Sequence, residues 1–331
     1  MHTRRELIRR ATLAGATALF GLRPGVADAE PPVETTKLRL INVPAACLAP
    51  LFVAEDLLKA EGFTAVDYVK IPGGFTMSKL LGSGDVDLTM NDAPSHIMDL
   101  DGGLPIVILC GIHIGCYDLF ASEGIRSIRE LQGKSVAVAG PGRRAFVASM
   151  ALQVGLDPRR DIKFVELPST EGMRQFSEGK VDAFLGFPPE PLELRAKKIG
   201  HVVVSTLTDR PWSQYFCCMV GGNREFVRKN PAATRRALRA ILKAANLCAL
   251  DPDRASRLLV DRGYMQNYEV ARATVRGLPY NAWREYNPEE TIRFYALRLH
   301  EVGMIKSNPQ KIIAQGTDWR FLNELRKELK G

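Results

Sequence analysis

Residues 140–146 read Gly-Pro-Gly-Arg-Arg-Ala-Phe and lie between a strand-like run and a helix-like one. Two glycines let a backbone come close to a ligand. The free N–H groups that open the next helix, with its dipole, favour an anion by about 0.3–1 kcal/mol. Gly140, Pro141 and Gly142 therefore form a candidate ligand turn. Arg143 and Arg144 either add a charge-assisted, two-pronged contact or are solvated side chains of a plain turn. Gly73 and Gly74, followed by Phe75-Thr76, offer the same helix-start chemistry or are simple turn glycines. Asn91, Asp92 and Ala93 end another strand-like run. The two polar ones cap the helix that follows or reach a ligand. Asn42, Pro44 and Ala45 form a fourth break, and Phe187 through Glu190 a fifth. Phe187, Trp212 and Tyr215 are candidate walls or ordinary core aromatics.

Catalytic and metal chemistry find less support. Cys110-x2-His113-x2-Cys116 has ligand types at short spacing but no second cluster, and it ends a buried strand. Cys217-Cys218 is a vicinal pair, too strained for a relaxed disulfide. Buried packing is its plainer reading, with copper binding or redox sensing as alternatives. There is no Gly-x-Ser-x-Gly, Walker loop, His-Glu-x-x-His or Gly-x-Gly-x-x-Gly. His96 has no evident partner. The expectation is no catalytic set, no metal and no cofactor.

The elements that must position these breaks alternate. Strand-like runs cover 37–43, 66–71, 86–90 and 105–111, with helical stretches to about Lys59, to Gly82 and over Pro94 to Leu100. The order then recurs. AVDYVKIPGG (65–74) matches DIKFVELPST (161–170), LRLINVPAA (38–46) matches KSVAVAGPG (134–142), and GDVDLTMNDAP (84–94) matches GKVDAFLGFPPEP (179–191). So long a repeat predicts two similar α/β lobes rather than a solenoid. Extended runs at 117–123 and 214–222 carry the chain between them, which predicts a two-stranded hinge near 117–122 and 215–221. A helix over 223–250 follows, then others starting at Asp251-Pro252 and Asn287-Pro288. These helices are expected to pack back on the first lobe, giving one lobe of 38–118 with 220–331 and another of 122–215. Ligands of open α/β sheets bind outside the carboxyl ends of the strands. The breaks named above would then face each other across a cleft.

The chain has 331 residues, 46% hydrophobic and 25% charged, with a formal net charge of +8. Its first residues are basic, then apolar, then Ala27-Asp28-Ala29, the pattern of a cleaved export signal. The apolar part is too short for a bilayer. Thr3-Arg4-Arg5-Glu6-Leu7-Ile8-Arg9 has the twin-arginine form. Cleavage after Ala29 leaves 40 basic and 35 acidic residues, or +5, scattered along the chain. That excludes a nucleic-acid reader by composition. Six cysteines in such a length do not make a disulfide scaffold.

LRLINVPAACLAPLFVAEDLL, LLGSGDVDLTMNDAP, IRSIRELQGKSVAVAGPGRRAFVA, EGKVDAFLGFPPEP and REFVRKNPAATRRAL occur in an order that resembles substrate-binding proteins of ABC importers. The similar branch serves nitrate, sulfonates, taurine and thiamine-pyrimidine precursors. The resemblance implies a type II periplasmic binding protein fold. It also implies a small organic or anionic solute held between two lobes, and handover to a membrane permease and its ATPase. A periplasmic monomer exported by the twin-arginine machinery is expected, and not an enzyme. Phe187-Pro188-Pro189-Glu190-Pro191 departs from the family's usual Trp and acid before Pro, and the first helix lacks a Gly-Phe-Phe-type ending. The alternatives are an enzyme similar to the thiamine-pyrimidine synthase, to which Cys217-Cys218 bears a faint likeness, and the ligand-binding module of a sensor.

Overall fold

The computed structural model describes residues 30–73 and 76–330. The expected export signal over 1–29 and candidate Gly74 lie outside the described residues. The chain begins with Lys37–Asn42 (β1), where charged and apolar side chains alternate and Leu38 and Leu40 are fully buried. A 3-10 turn over Ala46–Leu48 and helices Ala49–Val53 (α1) and Glu55–Ala60 (α2) follow. Then come Ala65–Lys70 (β2), Met77–Ser83 (α3), Leu88–Asp92 (β3), Ala93–Asp101 (α4) and Ile106–Ile114 (β4). Every residue of β4 is buried, so it reads as an unbroken apolar run rather than an alternating one.

The second series is Asp118–Ala121 (β5), Ser135–Val138 (β6), Gly140–Gln153 (α5), Lys163–Glu166 (β7) and Ser169–Ser177 (α6). It closes with Ala183–Gly186 (β8), Glu190–Lys197 (α7), His201–Ser205 (β9) and the return strand Phe216–Asn223 (β10). Two sheets result, ordered β2-β1-β3-β10-β4 and β7-β6-β8-β5-β9. In each, four of the five strands point the same way and the strand fourth in order is antiparallel to both neighbours. That fourth strand is the one that follows a crossing: β5 enters the second sheet after β4, and β10 enters the first after β9. The connecting residues are 115–117 and 206–215, slightly N-terminal to the expected hinge. Most of 117–122 and 215–221 lies inside β5 and β10. With its helical C-terminal region, this is the type II periplasmic binding protein fold.

The sequence repeat has a physical cause. The Asp87 carboxylate accepts the backbone N–H of Arg39 at 2.7 Å, and Asp87 N–H donates to Arg39 C=O at 2.8 Å. Asp182 accepts from Ser135 N–H at 2.8 Å and donates to Ser135 C=O at 3.1 Å. Asp87 thus ties β1 to the start of β3, and Asp182 ties β6 to the start of β8. Leaving those part-buried N–H groups without an acceptor would cost about 1–3 kcal/mol each.

The C-terminal region is helical: Arg224–Lys229 (α8), Pro231–Leu250 (α9), Pro252–Asp261 (α10), Tyr268–Gly277 (α11), Pro288–Glu301 (α12), Pro309–Gly316 (α13) and Arg320–Glu328 (α14). The single helix expected over 223–250 is two. Pro231 occupies the first turn of α9, where its missing N–H costs nothing but where no continuous helix can pass. Helix α9 packs on α1 and α2, and α13 and α14 pack on β4, so most of the region covers the first sheet. Buried Arg239 ties α9 to Glu61 at the end of α2.

Candidate functional site

A cavity of about 380 Å³ opens at the carboxyl ends of β1 and β3 on one side and of β6 and β8 on the other. Strand-end breaks build it, because there the backbone leaves the ladder and its side chains turn to the gap.

On the first side, Ala45, Asn91 and Asp92 line the cavity. Asp92 closes β3 and caps α4, accepting from Ser95 N–H and from Ser95 Oγ, both at 2.9 Å. The capping role and the cavity role are therefore held by one residue. Burial pushes the Asp92 carboxyl up to about 6, against the pull of the Ser95 bonds. Asp99, about two helix turns further and bonded by the Ser78 hydroxyl, is also raised to about 6 by burial. Thr76 caps α3 through Lys79 N–H at 3.2 Å and lines the cavity with Met77 and Ser78. Asn42 ends β1 half-buried, Pro44 is exposed, and Ala93 is buried behind Asp92; none of the three lines the cavity. Gly73 is likewise absent from the lining and exposed.

On the second side, Pro141, Gly142 and Arg143 line it, while Gly140 supplies the turn with φ +82°. Gly142 faces the opposite wall. A Cβ there would lie 2.3 Å from Ser95 Oγ and 2.8 Å from Asp92 Oδ2. The glycine serves the approach of one wall to the other.

The two arginines part company. Arg143 turns inward over the Phe187 ring at 4.4 Å, donates to Ser169 Oγ and lies 3.7 Å from Glu190 Oε2. Its side chain is 11% exposed. Glu190 is buried behind it, accepting from Phe187 N–H at 2.8 Å and from the Ser169 hydroxyl. Glu190 therefore positions Arg143 rather than lining the cavity. Arg144 turns away to Glu166 at 2.9 Å and stacks over Phe164. Phe187 is in the wall. Trp212 is buried in a 3-10 turn outside it, and Tyr215 stacks on Phe294 at 4.1 Å.

Sequence reasoning missed the floor. Cys47 from the turn after β1, Cys116 from the crossing and Cys218 from β10 all line the cavity. Their Sγ atoms lie within 4.8 Å of one another, with Cys116 and Cys218 3.8 Å apart. Cys110 takes no part, although the sequence pairs it with His113 and Cys116. His113 sits with Nδ1 3.1 Å from Ile114 C=O and Nε2 3.1 Å from Cys47 C=O. Only a doubly protonated ring can donate to both. Burial works against that charge, but the neighbouring Cys218 sulfur and the two carbonyls outweigh it and raise the His113 pKa. The Cys218 thiol is held well below its ordinary value by hydrogen bonds from Cys116, Cys217 and Cys47. By contrast, burial alone pushes Cys110 up to about 12. The three cysteines are remote in sequence, and no local spacing signals their meeting.

Among the described residues no helix is long and apolar enough to cross a membrane. In sequence, the nitrate/nitrite binding protein NrtA of Nostoc sp. (strain PCC 7120 / SAG 25.82 / UTEX 2576) is 23% identical over 273 residues, covering 74% of this chain and 61% of NrtA. The bicarbonate-binding protein CmpA of Synechococcus elongatus is 27% identical over 112 residues, 33% of this chain and 24% of CmpA. The chain thus spans less than two thirds of the curated relatives it matches. In structure, the periplasmic nitrate-binding protein NrtA from Synechocystis PCC 6803 superposes with a TM-score of 0.77 at 15% identity, over 91% of this chain and 90% of that one. The alkanesulfonate-binding protein SsuA from Xanthomonas axonopodis pv. citri, bound to MOPS, gives 0.66 at 17% identity, over 84% and 95%. None of these descriptions names an enzyme. The family described as NMT1/THI5 like matches residues 47–255, well over half of the chain, and the protein belongs to that family.

Proposed function

We propose that the protein is a solute-binding receptor of an ABC importer and not an enzyme. It captures a small organic or anionic solute between two lobes and delivers it to a permease and its ATPase in the inner membrane. The lobes are 38–118 with 220–331, and 122–215, joined by the two crossing segments. The receptor works as a periplasmic monomer after twin-arginine export and cleavage at Ala29.

The observation that carries this reading is the cavity lined from both sheets at their strand ends, with Asp92 on one wall and Arg143 on the other. A ligand that touches both walls makes more contacts when they are together, so it shifts the population toward closure. Arg143, shielded from water and stacked on Phe187, is the anchor for an anionic group. The relatives named for nitrate, bicarbonate and sulfonate binding support a solute of that size and charge.

The test is a thermal-shift screen of nitrate, bicarbonate, sulfonates, pyrimidines and aromatic acids, followed by small-angle scattering with each hit. A ligand at 100 times its Kd should stabilise the fold by about 2.7 kcal/mol. It should also contract the scattering envelope. Stabilisation without contraction would refute a closing receptor, and no stabilising solute in the set would refute the assigned class.

A further inference from the structure

We propose that the floor of the cleft is a three-thiol site for a soft, thiophilic cation of the Cu(I) class, bound by Cys47, Cys116 and Cys218. The three come from three separate parts of the fold: the turn after β1, the first crossing, and the return strand β10. All are buried, and all face the cavity. Two thiolates sharing one ion at about 2.3 Å sit about 3.8–4.0 Å apart, for tetrahedral to trigonal angles. Cys116 and Cys218 are 3.8 Å apart, and the third sulfur lies within 4.8 Å of both. A disulfide needs about 2 Å between sulfurs. The pair is too far apart for a disulfide; its spacing is that of a thiol–thiol hydrogen bond and equally that of two thiolates sharing one ion.

The donor set selects the class of ion. Among the described residues, no carboxylate or imidazole joins the group. His113 is nearest, with Nδ1 4.0 Å from Cys116 Sγ, but its two nitrogens make closer contacts of 3.1 Å with the carbonyls of Ile114 and Cys47. Structural zinc takes four ligands. Three sulfurs with no nitrogen or oxygen suit a soft monovalent ion with low coordination number. Binding forms metal–sulfur bonds, releases the thiol protons to solvent and leaves the oxidation state of the ion unchanged. The ion's remaining face is the cavity itself, whose volume far exceeds that of one ion. The site goes beyond the receptor reading and does not depend on it.

The experiment titrates the mature chain anaerobically with Cu(I) against a competing chelator, reading metal per chain and the sulfur-to-copper absorption. One Cu(I) per chain is expected. Cys47→Ser, Cys116→Ser and Cys218→Ser should each lower the affinity at least ~100-fold. Cys110→Ser and Cys248→Ser, outside the cluster, should leave it unchanged, and circular dichroism checks that every variant folds. Retention of copper by the triple variant would overturn the proposal, as would loss of copper by the wild type to the chelator. Tighter binding of Zn(II) than Cu(I) would overturn the assigned class. A Cys116–Cys218 disulfide in protein isolated from the export compartment would overturn the site. Copper binding with no solute-induced contraction sinks only the receptor reading, and contraction without copper sinks only this one.

Discussion

Gly142→Ala adds one methyl at the point where the two walls come nearest. The new Cβ would stand 2.3 Å from Ser95 Oγ and 2.8 and 3.0 Å from the Asp92 carboxylate oxygens, where ordinary contact begins at 3.4 Å. The shortfall is roughly 1 Å, which is large for packed atoms. Ser95 can rotate away only by giving up its bond to Asp92, and Asp92 is fixed as the cap of α4. Overpacking of this size costs about 1–3 kcal/mol. The contacting groups belong to opposite walls, so separating the walls relieves the clash. The cost should therefore fall on closure and weaken solute affinity about 5- to 150-fold by calorimetry. The unfolding temperature of the free protein should stay within 1–2 °C of wild type, roughly the scatter for a neutral substitution. Gly140→Ala is the opposite case. Nothing lies within 4 Å of its added Cβ, but its φ is +82°. An L side chain there costs about 1–2 kcal/mol of stability whether the walls are open or closed. Unchanged affinity in Gly142→Ala, or a loss of melting temperature equal to that of Gly140→Ala, would refute the wall-contact reasoning.

Arg143→Ala should weaken an anionic solute by about 1.5–3 kcal/mol, at least tenfold, while Arg144→Ala, turned to Glu166, should leave calorimetric affinity within twofold. Asp99 has a folded pKa of about 6, above its unfolded value of 3.8, so the folded state holds the proton longer. Its contribution is fully present below about pH 4 and is lost as pH rises through 6. Denaturation at pH 7.5 should therefore find Asp99→Asn about 3 kcal/mol more stable than wild type, with the difference vanishing near pH 4. Asp182→Ala strands the Ser135 N–H and should cost about 2 kcal/mol, lowering the melting temperature by several degrees without altering affinity in proportion.

How far the fold was legible follows from where its information lies. Local signals were strong wherever a turn or cap repeats. The Gly-x-Val-Asp segments announced a duplicated unit because each aspartate does the same job on its own β-strand. Asp92 and Thr76 were readable as helix starts for the same reason: caps are short-range chemistry. Pro231 splits the expected helix over 223–250 in two, because a proline fits the first turn of a new helix but not the interior of a continuous one. The site was half legible. Strand ends pointed to Ala45, Asn91, Asp92, Pro141, Gly142, Arg143 and Phe187, all of which line the cavity. The difference between Arg143 and Arg144 was not, because it depends on which distant carboxylate each one meets, Glu190 for the first and Glu166 for the second. Nor was the meeting of Cys47, Cys116 and Cys218, which only the two crossings bring about. The pattern Cys-x2-His-x2-Cys contains one member of that cluster, Cys116, and one cysteine outside it, Cys110.

Strand β4 has consequences for how this chain must be made. It lies at the edge of its sheet, and among the described residues its only strand neighbour is β10, with a single bridge from Ile108 to Thr317 on the other side. At ordinary synthesis rates the ribosome needs roughly 5–20 s to add the ~100 residues between them. For that interval a nine-residue run, fully buried at the end, waits with its hydrogen-bonding groups unanswered. A nascent chain halted between residues 115 and 215 should be prone to clumping and bound by chaperones, and release should come abruptly once residue 223 has emerged.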